Sequence, residues 1–385
     1  MQRCLNRSWW STARKGAADF LHPDRSLVYH TERPPFCSSQ LISETELKVT
    51  VRLPPPMTRR RHLALLALPP ILALVCPLLA DVISENTVGG AVLTSGLRSL
   101  PPFLMATWGL WGAILARRQR RWREAMVVAF IGLVLMGRPP LFWPSTTDTG
   151  AVVISSNVNA YSPHESPAAL ESALAEQRAD VVVVIEKRAL QIPGMTRVAD
   201  NFDDPLPMIS HATAVFCRKG YACEAIVTPE FGSATWQMPL GIVRLPTGVC
   251  ILALHGPPPA PFDAIGIFDY TQRVAEHLTE GRMSKPWGPC QAQDPALIIG
   301  DLNGVPGSAP YEMLVGRGMG DLLKGSGVWG ASWPAGGGWP PLPFFRLDHV
   351  LAGALDVGHL THLSMPGADH RAIKMVISPA AQTGD

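Results

Sequence analysis

The residues able to do chemistry sit at the ends of apolar runs. Asn157 ends AVVISSN (151–157) and Asn159 lies two positions on; Glu186 closes VVVVI (181–185), and His255 ends the run ILAL. Asp301 and Asn303 follow ALIIG (296–300), Asp348 and His349 follow FFRL, and Asp369 and His370 precede a last apolar run at 372–377. A carboxylate at the end of a wholly apolar strand is costly to bury unless it is paired or binds a metal. Three such ends recur here, at Glu186, Asp301 and Asp348. An oxygen-rich set of Asn, Glu and Asp suits Mg²⁺, which favours carboxylate and water ligands, with Mn²⁺ as its nearest substitute. No Cys-x-x-Cys occurs, so a zinc site of that kind is not indicated.

Bringing those ends together requires a mixed domain of about residues 150–380. AVVISSN and VVVVI read as core strands around a helix at 166–178 capped by Ser166. TAVFC (213–217) and ACEAIV (222–227) read as one hairpin, and GIVRL (241–245) and VCILALH (249–255) as another across a PTG turn. A helix at 266–280, strand 296–300, a short helix at 309–315 and strands at 348–352 and 372–377 complete the set. Gly336, Gly337 and Gly338 mark a long loop. Its aromatic residues Trp333, Trp339, Phe344 and Phe345 either dip toward lipid, wall the substrate pocket, or pack on the surface. Cys217, Cys223, Cys250 and Cys290 allow one or two disulfides or buried free thiols, and Cys217 and Cys223 flank a turn they can bridge.

The ordered set SSNVN (155–159), ADVVVVIE (179–186), LALH (252–255), IGDLNGVPGS (300–308), FRLDHVL (345–351) and GADHRAI (367–373) resembles the endonuclease/exonuclease/phosphatase, or DNase I-like, superfamily. Singly, these residues read as strand caps and Asx turns; their joint order carries the assignment. The resemblance implies an α+β fold built as a four-layer α/β sandwich and a metal-dependent phosphatase or phosphodiesterase activity. It makes Glu186 the principal Mg²⁺ ligand with Asn157 and Asn159 at the same ion, and Asp369 part of that acidic cluster. Asp301 would orient and deprotonate the attacking water, and Asn303 would hold a phosphate oxygen. His370, its tautomer fixed by Asp348, and His255 would contact phosphoryl oxygens. His164, His211, His349, His359 and His362 have no role in that scheme. Two positions depart from the family pattern, Ser156 where nucleases usually carry Trp and Ile185 where Gln commonly precedes the Glu. Neither is a ligand, so the departures bear on substrate rather than on activity.

The N-terminal part is different in kind. Residues 63–80 carry no charge, and apolar runs recur at 99–116 and 125–144; with the first extended to about 63–83, these read as three transmembrane helices within 57–145. Arg59, Arg60 and Arg61 precede the first run and five arginines between 117 and 123 separate the second from the third. By the positive-inside rule these basic stretches are cytoplasmic and the C-terminal domain is extracytoplasmic on a multi-pass cell-membrane protein. That anchor further resembles the bacterial membrane-bound subgroup of the superfamily that includes the glycopeptide-resistance protein VanJ. Residues 1–56 show no periodicity and read as an unstructured or mis-started extension, with translation beginning at Met57.

Charge follows the same division. The whole chain sums to +2, from 33 Lys+Arg and 31 Asp+Glu. Residues 1–149 hold 18 basic and 9 acidic side chains, net +9; residues 150–385 hold 15 and 22, net −7. A catalytic domain at −7 attracts a DNA backbone poorly, so an extracellular nuclease is the alternative rather than the main reading, and a non-catalytic phospho-ligand sensor is the alternative of another class. The expected partners are the lipid bilayer and a phosphorylated small-molecule or lipid substrate.

Overall fold

The structure is a computed structural model that describes residues 59–83, 88–118, 122–143, 149–158, 167–186, 190–201, 212–228, 232–233, 236–258, 266–335 and 343–380. The 1–56 extension, Asn159 and Trp339 lie outside the described residues. Residues 57–385 form one compact unit.

Three helices come first: α1 (Arg59–Val82), α2 (Val88–Arg118) and α3 (Trp122–Leu135). α1 and α2 contain the first two apolar runs, whereas α3 ends at Leu135 and leaves the rest of the expected 125–144 span outside it, and among the described residues no helix is long and apolar enough to cross a membrane. The 14 residues of α3 reach only about 21 Å at 1.5 Å per residue, against a hydrocarbon core of about 30 Å. Proline pairs interrupt the other two, Pro69 and Pro70 in α1 and Pro101 and Pro102 in α2. Gly109 and Gly132 let α2 and α3 touch backbone to backbone, since a Cβ on Gly109 would lie 2.6 Å from the Gly132 Cα.

Most of the remaining strands build two six-stranded sheets, beside two short two-stranded ones. The first contains β1 (Ala151–Asn157), β2 (Val181–Ile185), β3 (Met195–Asp200) and β4 (Thr213–Arg218). The second contains β5 (Glu224–Thr228), β6 (Leu240–Arg244), β7 (Cys250–His255), β8 (Ala296–Asp301), β9 (Gly320–Asp321) and β10 (Asp348–Ala352). The chain then returns to the first sheet with β11 (Leu355–Ser364) and β12 (Arg371–Pro379). The strand orders are β11-β12-β1-β2-β4-β3 and β9-β10-β8-β7-β6-β5. Each sheet centres on one parallel pair, β1 with β2 and β7 with β8, flanked by an antiparallel return, β12 or β10.

Sequence accounts for this layering. Every residue of VVVVI is buried, as a parallel strand covered on both faces requires. Val153, Val183, Ile185, Val215, Ile251, Ile299 and Val350 face one another between the sheets. Helix α4 (Pro167–Glu176) covers the outside of the first sheet with Leu170 and Leu174. Helices α5 (Gly266–Ala275) and α6 (Ala309–Val315) cover the second with Tyr270, Val274, Tyr311 and Leu314. Full burial of each such side chain is worth about 1.5–3 kcal/mol. Helix, sheet, sheet, helix is the four-layer sandwich expected.

One expected hairpin does not form. TAVFC lies in the first sheet and CEAIV in the second, so the RKGYA turn carries the chain across the sandwich rather than back along one sheet. A disulfide between Cys217 and Cys223 closes that crossing, and a second joins Cys250 to Cys290. The hairpin across PTG does form, with Gly241 opposite Ala253, while α5 ends five residues before the expected 280.

The helical segment is tied to the sandwich. The Arg138 amide donates to the Gly325 carbonyl at 2.7 Å and the Val328 amide to that of Met136 at 3.0 Å. Trp143 donates to the Arg138 carbonyl and meets the His362 ring edge-on at 5.2 Å.

Candidate active site

Strand register brings the polar ends together. Asp301 lies opposite His255 on one side and Asp348 on the other, one level across the second sheet. In the first sheet Asn157 lies opposite Ile185, which sets Glu186 just beyond it, and His370 immediately precedes β12. Gly300 makes the Asp301 end possible. Its φ is +114°, and a Cβ there would stand 2.3 Å from the Leu254 carbonyl oxygen. Glu186 and Asn303 both have positive φ, 64° and 54°, a conformation that non-glycine residues adopt at a cost and that clusters at functional sites.

Asn157 is the central connector. Its Nδ2 donates to Asp301 Oδ2 at 2.9 Å and lies 3.5 Å from Glu186 Oε1. Its Oδ1, on a side chain 1% exposed, has no hydrogen-bond partner. His255 Nε2 stands 3.2 Å from Glu186 Oε1, while its backbone amide donates to the Tyr270 hydroxyl, which donates in turn to the Pro239 carbonyl. Burial would raise the Glu186 carboxyl, but the His255 hydrogen bond and nearby positive charge hold it below the ordinary value.

His370 and Asp348 form the second half. Nδ1 of His370 is 2.7 Å from Asp348 Oδ2, and its Nε2 is 3.8 Å from Asp301 Oδ2. Burial opposes the charged imidazole, yet the Asp348 and Asp301 carboxylates drive it up to about 10. Burial likewise raises Asp301 to about 6, opposed by the His370 charge and reinforced by Asp348. Asp348 stays below the ordinary range despite its burial because His370 pairs with it. The two environments push these groups apart, a carboxylate raised toward neutrality beside an imidazole that holds its proton, the pairing that acid–base chemistry would need.

The other expected residues are less central. Asn303 turns inward: its Nδ2 donates to the Gly256 carbonyl at 2.8 Å and its amide to Asp301 Oδ1 at 2.7 Å, so it orients Asp301. Asp369 accepts from Trp333 Nε1 at 3.4 Å, and burial raises its carboxyl. His349 packs against the Gly304 carbonyl at 2.6 Å and is pushed down to about 4 by burial, which makes it a neutral structural residue.

Three supporting residues carry no sequence signal or only a weak one. Ser332, fully buried, accepts the amides of Leu347 and Asp348 at 3.1 Å each. Its own backbone bonds Phe345 and Arg371, so one residue ties Asp348 to the strand beside His370. Arg346 donates to the Leu323 carbonyl and to Asp321 Oδ2, both at 2.6 Å, pinning the segment that delivers Asp348. Arg346 lies inside the FRLDHVL segment but was given no role there; nothing marked Asp321 or Ser332.

The profile of the endonuclease/exonuclease/phosphatase family matches residues 154–370, more than half of the chain. The chain belongs to this family. Like its other members, it is a hydrolase of phosphoester bonds. None of the curated proteins compared matches the sequence. Among solved structures, the chain is similar to an endonuclease/exonuclease/phosphatase family protein from Bacteroides thetaiotaomicron, at 16% identity over 60% of this chain and 98% of that one, with a TM-score of 0.41. It is also similar to sphingomyelinase C from Streptomyces griseocarneus, at 14% over 59% and 99% with a TM-score of 0.36. A third such structure is truncated Caenorhabditis elegans TDP2, at 16% over 59% and 97% with a TM-score of 0.42.

Enzymes of the endonuclease/exonuclease/phosphatase family generally depend on a divalent metal. Among the described residues no group of three or more His, Cys, Asp or Glu side chains is placed to hold one. The donors present are the unpartnered Oδ1 of Asn157 and the adjoining carboxylate of Glu186. Two hard oxygen donors, with water and a substrate phosphate completing the shell, fit a small divalent cation that keeps much of its hydration. When bound there, such an ion would supply positive charge to the phosphoryl oxygens. Among the chain's own residues, Asn157 and the Asn303 backbone amide hold Asp301 in place, where its carboxylate would be set to accept a proton from an attacking water and His370 Nε2 to donate to a phosphoryl oxygen.

Proposed function

We propose that the protein is a membrane-anchored, extracytoplasmic, Mg²⁺-dependent hydrolase of a lipid-linked phosphate or a phospholipid. The observation that carries this reading is the outer surface of the helices joined to the catalytic domain. Leu74 is 73% exposed, Val82 85% and Phe130 66%, with Leu78, Leu110 and Met126 similarly bare. Apolar surface on this scale marks an interaction site rather than an ordinary solvent face, and the flanking arginines give that interaction a cytoplasmic side. The Gly109 to Gly132 approach supports it too, because small residues at helix crossings are how helices associate in lipid.

Three further features agree. All four cysteines of the catalytic domain are paired, in keeping with an oxidising compartment. The net −7 of residues 150–385 disfavours a polyanionic nucleic acid. Asn157 and Glu186 offer the hard oxygen ligands that suit Mg²⁺.

The test is a phosphate-release screen on the detergent-solubilised full chain, with and without EDTA, offering long-chain lipid phosphates, lipid pyrophosphates, phospholipids and plasmid DNA. Mg²⁺-dependent release from a lipid substrate is the expected result. Cleavage of plasmid alone would replace this reading with a nuclease. A reporter fused after Asp385 and active only in the cytoplasm would overturn the orientation.

A further inference from the structure

Four aromatic rings run in contact from the catalytic histidine to the helical segment. Trp333 lies 6.4 Å from His370, Phe345 5.8 Å from Trp333, Phe344 4.1 Å from Phe345, and Phe103 of α2 6.2 Å from Phe344, each measured between ring centroids. All four are half-buried rather than buried, and none belongs to the three hydrophobic clusters that stabilise the sandwich. The row is nonetheless held firmly. Trp333 exchanges backbone hydrogen bonds with Phe345 at 3.0 and 2.9 Å and accepts the Phe344 amide at 3.0 Å, while its indole N–H reaches Asp369. An apolar surface that is rigid, partly bare and absent from the core is placed for a ligand rather than for stability.

Its two ends say what ligand. One end is His370, beside Asp301 and Asp348, where the proposed reaction would hold the phosphoryl group. The other is α2, whose Phe103 joins Phe344 in lining a cavity of about 380 Å³ between the helix and the catalytic domain, with Arg98, Lys324, Arg346, Glu312 and Asp321 also on its wall. Beyond the cavity, α2 continues into the exposed apolar surface of Leu110 and Trp111. A molecule with a phosphate at one end and a long hydrocarbon at the other matches both ends and the surface between them.

We infer that Trp333, Phe345, Phe344 and Phe103 form the binding surface for the hydrocarbon chain of the substrate, leading it from the bilayer to a phosphate held at His370. This rests on the lipid-phosphate reading and deepens it. Chain length then becomes a determinant of turnover, and the enzyme prefers a long-chain phosphate to a short-chain one with the same head.

The experiment uses the full chain in mixed detergent micelles. Matched long-chain and short-chain pairs of a lipid phosphate monoester, a lipid pyrophosphate and a phosphodiester phospholipid are compared by kcat/KM. Wild type is expected to favour the long chain at least tenfold on the pair it hydrolyses. The Phe344→Ala/Phe345→Ala double variant should cut that ratio about tenfold, while Phe344→Leu, which keeps an apolar contact, should preserve most of it. A ratio unchanged in the double variant, or a wild type indifferent to chain length, overturns the inference and leaves the lipid-phosphate reading standing. If wild type cleaves a soluble phosphodiester but no lipid of either length, both fall together.

Discussion

Replacing Ser332 by Ala should cost both stability and turnover. The hydroxyl is fully buried and is the shared acceptor for the amides of Leu347 and Asp348, each at 3.1 Å. Without it two buried N–H groups lose their partner, and a buried unsatisfied donor costs about 1–3 kcal/mol. Because one oxygen serves both amides and the loop can relax, about 3 kcal/mol for the pair is the expected destabilisation. In a domain of this size that corresponds to a fall in Tm of roughly 6–12 °C. The catalytic effect is separate. Asp348 holds His370 through a single 2.7 Å contact, and freeing its backbone lets that pair drift from the reacting geometry, where a misplacement of about 1 Å costs up to about a hundredfold. The expected readout is a drop in kcat of about tenfold or more with KM within about twofold, because Ser332 touches no substrate. Thermal unfolding and steady-state kinetics on the same preparation check both. A variant with unchanged Tm would refute the hydrogen-bond reasoning, and one with lowered Tm but unchanged kcat would reduce Ser332 to a structural residue.

Three other outcomes follow from the structure. Burial would raise the Asp321 carboxyl, but Arg346 and the Tyr311 hydroxyl hold it below its ordinary value; the pair therefore stabilises fully above the unfolded carboxylate range, about pH 4, and its contribution is lost as pH falls through the folded value. Arg346→Met, which strands the buried Asp321, should cost about 3–5 kcal/mol at neutral pH, measured by denaturant unfolding, and equal stability would show that the pair does not hold the segment. Gly300→Ala places a Cβ 2.3 Å from the Leu254 carbonyl oxygen at φ +114°; it should yield little folded protein, and a soluble, active variant would contradict the close strand approach. Removing the Cys250 to Cys290 disulfide, which spans 40 residues, should lower stability by about 2–4 kcal/mol, and mass spectrometry without reduction should find no free thiol at Cys217, Cys223, Cys250 or Cys290.

The central strands could be read from sequence because burial on both faces leaves an uninterrupted apolar run, and VVVVI and ALIIG have no other interpretation. The edge strands could not. In β3 no residue of MTRVAD is buried and three successive ones are exposed, and β11 is broken by a register shift between Gly358 and Thr361 with His359 at positive φ, so neither shows a period of two. The 213–227 segment failed for a different reason: a turn between two apolar strands looks the same whether the second strand pairs with the first or crosses to another sheet. Register then did what motifs alone do not. It set Asp301 level with His255 and Asp348 and made Asn157, read as a metal ligand, also the hydrogen-bond donor that orients Asp301. Asn303 was read as a phosphate donor; one of its two side-chain N–H groups goes to the Gly256 carbonyl, an anchor the motif did not announce. Ser332 and Asp321 were silent because their work is done across 16 and 25 residues of chain, and no local pattern records such a partner.

The most direct measurement of the central claim is phosphate release by Asp301→Asn beside wild type, on the same substrate and at saturating divalent metal. The substitution keeps the shape and a carbonyl oxygen near Asn157 but removes the group that takes the proton from water, so kcat should fall by about a hundredfold or more, with the fold and KM retained. Asp301→Asn turning over at a rate close to wild type would contradict the account, because the buried carboxylate at the end of β8 would then not be the base of a phosphoester hydrolase.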